Sequence, residues 1–183
     1  MGKIILIDDR PIMAVNLAKE WAEYYNNTWD GKPCPIFYII TLYDKKKIPD
    51  DCKKQGELVD KQLKQLNNGR SKYFHQIILE EEDDELRKKE IEKKINEFVE
   101  TKVKKDSMLV ALDLHLFHDD DEKVKKKQVI VSMNIFEWLK GQNRNVLLYT
   151  SFSDDKQMAF FGNKYMRING MRKRILFMQE KII

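Results

Sequence analysis

Apolar residues fall into two patterns along the chain. Short runs with little polar alternation lie at residues 4–7 (IILI), 36–42 (IFYIITL), 108–116 (MLVALDLHL) and 145–149 (NVLLY), with a looser one at 73–79. Runs of that length, apolar on both sides, suit strands of a parallel sheet covered on both faces. Between them apolar residues recur every three or four positions. Ile12, Val15, Ala18, Trp21 and Tyr25 predict a helix over 12–25, which Pro11 would open. Leu58, Leu63 and Leu66 predict another over 57–66, stopped by Asn67, Asn68 and Gly69. A long charged helix is predicted over 80–105, acids first and lysines last, an order that complements the helix dipole. Residues 129–139 predict a further helix, closed by Gly141. Beyond 150, Ser153, Asp154 and Asp155 could cap a helix to about 161. A short strand is expected at 165–168 and a last helix at 171–182.

Strand and helix therefore alternate. That predicts an α/β fold, a doubly wound and mostly parallel sheet, as one domain over 1–183. In such sheets ligands bind beyond the carboxyl ends of the strands. The rule singles out Asp8 and Asp9 after the first run, Asp113 at the end of the third, and Thr150 and Ser151 after VLLY.

Composition narrows the field. The 42% hydrophobic content excludes a disordered chain, and at 183 residues a sizeable core can form. The formal charge of +4 is spread through interleaved Lys and Glu without a basic stripe, which argues against nucleic acid as a partner. Cys34 and Cys52 have neither zinc nor CxxC spacing, so reduced thiols in a cytoplasmic protein are expected. No apolar run approaches the roughly 18 residues of a membrane span.

Three carboxylates converging at strand ends repel one another, and a hard divalent cation such as Mg²⁺ would relieve that. A carboxylate beside such an ion can accept a phosphoryl group, and a neighbouring hydroxyl can then respond to it. Simpler roles exist for each residue. Asp8 and Asp9 could cap a turn, Asp113 could be satisfied by backbone amides, and Thr150 and Ser151 could serve strand propensity alone. His115 and His118, beside Asp119, Asp120 and Asp121, match no closed transition-metal spacing.

With IILIDDRP, VALDLHL and VLLYTS in this order, the chain resembles a response-regulator receiver domain of flavodoxin-like topology. The resemblance implies an acid pair, Asp8 and Asp9, and a phospho-accepting Asp113. It also implies a backbone carbonyl from His115 as a metal ligand, Thr150 as the switch hydroxyl, and Mg²⁺ as cofactor. It implies a histidine kinase or phosphotransfer protein as donor, an output protein as partner, and a possible homodimer. A regulatory domain rather than an enzyme is expected. Two departures accompany it. The family's Lys at the end of its last strand has no counterpart, since Asn169 and Gly170 follow 165–168 while Lys164 and Lys173 fit the position poorly. The spacing before Asp113 also calls for an insertion within about 45–105. Two alternatives stay open. One is a pseudo-receiver binding module without phosphotransfer. The other is a phosphohydrolase of the haloacid dehalogenase type, whose acid/base would fall at Arg10.

Overall fold

The computed structural model describes residues 2–28, 33–69, 73–103, 108–114, 116, 122–142, 144–150 and 174–178; for 108, 122–130, 150 and 174–178 only the backbone is described. The apolar runs become strands: β1 (Lys3–Ile7), β2 (Ile36–Asp44), β3 (Phe74–Leu79), β4 (Met108–Asp113), β5 (Asn145–Thr150) and β6 (Arg174–Met178). They form one sheet in the order β3-β2-β1-β4-β5-β6. The first five strands are parallel and β6 is antiparallel to β5. The expected doubly wound, flavodoxin-like α/β sheet is therefore present.

Four helices connect the parallel strands: α1 (Pro11–Thr28), α2 (Cys52–Leu66), α3 (Asp84–Phe98) and α4 (Glu122–Gly141). Successive side chains of a strand point to opposite faces. On β3, Gln76 donates to the Cys52 carbonyl of α2, whereas His75 stacks on Phe98 of α3 at 4.9 Å. So α2 and α3 cover opposite faces. α1 packs beside α2, and α4 beside α3. The core is built from both sets of inward side chains, including Ile5, Ile7, Phe37, Leu112, Phe136 and Leu148, all essentially without solvent exposure.

Local chemistry sets the element ends. Asp83 caps α3 by accepting from the backbone N–H groups of Glu85 and Leu86. Asn67 ends α2 and bridges both backbone polar groups of Phe37 with its side-chain amide, at 2.9 and 2.8 Å. Asn68 then takes the left-handed conformation (φ 49°) common just past a helix end. Gly56 lets α2 approach β3 closely: a Cβ there would lie 2.8 Å from the Phe74 ring.

Three predicted elements differ. α2 begins at Cys52 rather than at residue 57, because Asp51 and the polar residues after Pro49 already form its first turn. The charged helix starts at Asp84 and gives way to a π-helical turn, Val99–Val103, which keeps Val99 and Val103 buried. The expected last helix over 171–182 is wrong for 174–178, which pairs with β5 as β6. Its RILFM sequence is an apolar run too short for periodicity to separate helix from strand. The strand expected at 165–168 and the helix after Ser153 lie outside the described residues.

Candidate metal and phosphoryl site

The sheet's winding reverses between β1 and β4. From β1 the chain proceeds outward to β2 and β3, and it then returns to β4 and β5 on the other side. The crevice beyond the carboxyl ends of those two strands is the topological switch point, where ligands of open α/β sheets bind. Asp8 follows β1 and Asp113 ends β4. Ile7 pairs with Leu112, and the Asp8 N–H continues the ladder to the Ile40 carbonyl, so the two acids fall side by side.

The register carries that row further. Asp113 pairs with Tyr149, and Thr41 follows Ile40 on β2. Since Ile7 and Ile40 share the face of His75, the row of Thr41, Asp8, Asp113 and Tyr149 lies on the α1/α2 face. All four are fully buried. One residue earlier on the same strands stand Ile7, Ile40, Leu112 and Leu148. That apolar row lies on the opposite face of the sheet, with His75.

Asp8, Asp9 and Asp113 each offer an oxygen, and these oxygens lie within 4.8 Å of one another. Carboxylates alone are hard ligands suited to Mg²⁺, so the donor set fits the expected cation. Asp8 also accepts the Arg10 backbone N–H at 2.9 Å and the Tyr149 hydroxyl at 2.9 Å. Arg10 lies across the cluster. Its Nη2 donates to Asp113 at 3.3 Å, and its Nε lies 3.8 Å from Asp8 and 3.7 Å from Asp9.

Electrostatics follow from this crowding. Burial works against the Arg10 charge, but Asp8, Asp113 and Asp9 outweigh it and hold the guanidinium protonated more firmly than usual. Tyr149 is pushed far above the ordinary phenol range, first by burial and then by the charges of Asp8 and Asp113. It remains a neutral donor. Tyr43, further along β2, is pushed up to about 12 by burial, with Cys52 and Asp9 adding to the effect.

The sequence-derived acids Asp8, Asp9 and Asp113 thus come together. Thr150 ends β5, but its side chain and all of Ser151 lie outside the described residues, as do His115, His118, Lys164 and Lys173. Three participants were not anticipated. Tyr149 was hidden because only the strand register shows that it, one residue before the expected hydroxyl, aligns with Asp113. Arg10 stood in plain view after Asp9, and its signal is the excess of acid around it. Thr41 sits mid-strand, and its hydroxyl has no hydrogen-bond partner among the described residues.

Two clefts lie elsewhere. One of about 240 Å³ separates α3 from α4 near Arg87 and Ile135, and one of about 610 Å³ follows β3 and α3 near His75 and Lys102. Neither is lined by Asp8, Asp9 or Asp113. Among the described residues no helix is long and apolar enough to cross a membrane. No family model, curated protein or solved structure matches the chain.

Proposed function

We propose that this chain is a receiver-like signalling domain that accepts a phosphoryl group on Asp113 with Mg²⁺ held beside it. The observation that carries the reading is the triad of Asp8, Asp9 and Asp113 gathered at the switch point of a doubly wound sheet. Asp8 and Asp9 would hold the cation together with Asp113 and the His115 backbone carbonyl. Bound there, Mg²⁺ would neutralise charge on the phosphoryl oxygens. An Asp113 oxygen then attacks phosphorus, the new O–P bond forms, and the P–N bond to a donor histidine breaks; the departing imidazole takes up a proton. Thr150 is the hydroxyl assigned to sense the acyl phosphate.

Tyr149 holds Asp8 in one orientation through its hydrogen bond, and in the metal-free protein Arg10 pairs with Asp113. β3, at the outer edge of the sheet, belongs to the inserted part of the chain in this reading. The donor is a histidine kinase or phosphotransfer protein, the output is a contact with another protein or a second copy, and the setting is cytoplasmic.

A second reading is favoured by the Arg10–Asp113 pair. A guanidinium that already satisfies the acceptor suits a pseudo-receiver, a binding module that keeps the fold without phosphotransfer. Thermal unfolding with Mg²⁺, and with Mg²⁺ plus beryllofluoride, separates the two. The receiver reading expects both additions to raise Tm, and it expects the beryllofluoride effect to vanish in Asp113→Asn. No shift with either would overturn it and leave the binding module.

A further inference from the structure

Arg10 touches all three carboxylates that would ligate the cation. We propose that it is a tethered counter-ion occupying the acid cluster, and that its side chain must withdraw for a divalent cation to bind. The inference rests on the metal-binding reading above and adds to it the control of that site.

The geometry points this way for three reasons. First, the sites overlap. The Asp113 oxygen bonded to Nη2 and the Asp8 and Asp9 oxygens facing Nε belong to the same crowded set. A guanidinium and a metal ion cannot both neutralise them at close range, because the charge they compete for is the same. Second, among the described residues three acids, Asp8 and Asp113 wholly buried and Asp9 less so, face the one guanidinium of Arg10, whose single charge does not match theirs. That residual attraction lets a divalent ion displace a monovalent one. Third, the backbone of Arg10 is fixed while its side chain has an exit. The Arg10 N–H is held by Asp8, and its carbonyl accepts from Ala14 in the first turn of α1. The side chain keeps 29% of its surface in solvent, so rotation about its own bonds would move the charge outward without disturbing the helix.

Occupancy by Arg10 and by the cation are then linked reciprocally: whatever favours one disfavours the other. The guanidinium offsets part of the acids' charge when divalent cation is scarce, and it weakens cation binding by the free energy of its own ion pairs. Withdrawal also places a guanidinium at the protein surface beside the site only when the site is loaded.

Mg²⁺ titration of the full chain by calorimetry tests this. Arg10→Gln is expected to bind Mg²⁺ about tenfold more tightly than the parent, since a competing buried ion pair has been removed. It should also show a lower Tm without metal and a larger Mg²⁺-induced rise. In the unaltered protein, the Arg10 Nε–H resonance should shift as Mg²⁺ is added. If Arg10→Gln does not fold without metal, Arg10→Lys takes its place. Its compact ammonium cannot span three acids, and it is expected to bind Mg²⁺ about threefold more tightly than the parent. Equal or weaker Mg²⁺ binding by the folded variant overturns the counter-ion proposal and leaves the metal site standing. If parent and variant are folded and neither binds Mg²⁺, the metal reading itself fails, and this inference with it.

Discussion

Two arginine–carboxylate groups stand at the carboxyl edge of this sheet. At the end of β2, Asp44 meets Arg87 from α3 at 3.0 Å. At the end of β1 and β4, Asp8, Asp9 and Asp113 meet Arg10. Among the described residues the first is one acid to one base, partly open to water, and Asp44 accepts the Lys46 backbone N–H as well. Its acidity is strengthened chiefly by that backbone bond, with Arg87 adding to it. Among the described residues the second is three acids to one base, two of the acids wholly buried. A balanced, wet pair serves to close a turn and dock a helix. An unbalanced one whose acids are largely buried stores repulsion, and folded proteins keep such repulsion chiefly where a ligand relieves it.

That contrast can be broken by substitution. The largest effect belongs to Asp8→Ala. It removes the acceptor of both the Tyr149 hydroxyl and the Arg10 N–H and leaves a buried phenol without that partner, so a loss of about 2–4 kcal/mol is expected in denaturant titration. A double-mutant cycle with Tyr149→Phe should show coupling between the two. A loss no larger than that of a surface acid would mean that the cluster adds little to the fold.

The sharper comparison is one of sign. Asp44→Asn should cost up to about 1 kcal/mol, the usual range for an exposed pair. Asp113→Asn, in metal-free buffer, should cost nothing or stabilise by about 1 kcal/mol, because it relieves repulsion while Arg10 keeps Asp8 and Asp9. If both lose stability to the same degree, the cluster is structural like its neighbour.

The smallest effect is a pH dependence away from both groups. Burial against Phe98, reinforced by Lys102 and Lys94, holds the His75 imidazole below its ordinary value. The unfolded chain therefore binds the proton more readily than the native one. Stability from this residue is full above the ordinary value of 6.5 and falls as pH drops from there toward the depressed native value. His75→Phe should flatten that part of the Tm–pH curve, by about 1–2 °C for a partly buried ring.

How far the sequence reached differs between fold and site. Strands β1, β2, β4 and β5 were legible because β-branched and Leu runs flanked by Asp, Pro or Asn leave few other solutions. The acids Asp8, Asp9 and Asp113 were legible because a charge at the tip of such a run is conspicuous. Tyr149 and Thr41 were not, since what brings them beside Asp8 is strand register, a tertiary property that local pattern does not encode. β6 was misread because Ile175, Leu176 and Met178 satisfy a helical stripe as readily as an apolar strand. The start of α2 was late for the opposite reason: its first turn is Lys-rich and the helix carries no large apolar side chain until Leu58 and Val59.

The position of β1 also governs how the chain is made. Its Lys3–Ile7 backbone pairs on one side with β2 and on the other with β4. At synthesis rates of about 5–20 residues per second, several seconds separate the emergence of β1 from that of β4. If β1, β2 and β3 pair during that interval, β1 keeps one edge open, the edge that Met108–Asp113 fills in the finished sheet. Pairings so distant in sequence form slowly. Until β4 arrives, the nascent chain presents a bare strand flank to any neighbour, and Asp8 at its tip places a charge beside that flank, of the kind that discourages the wrong strand from docking there.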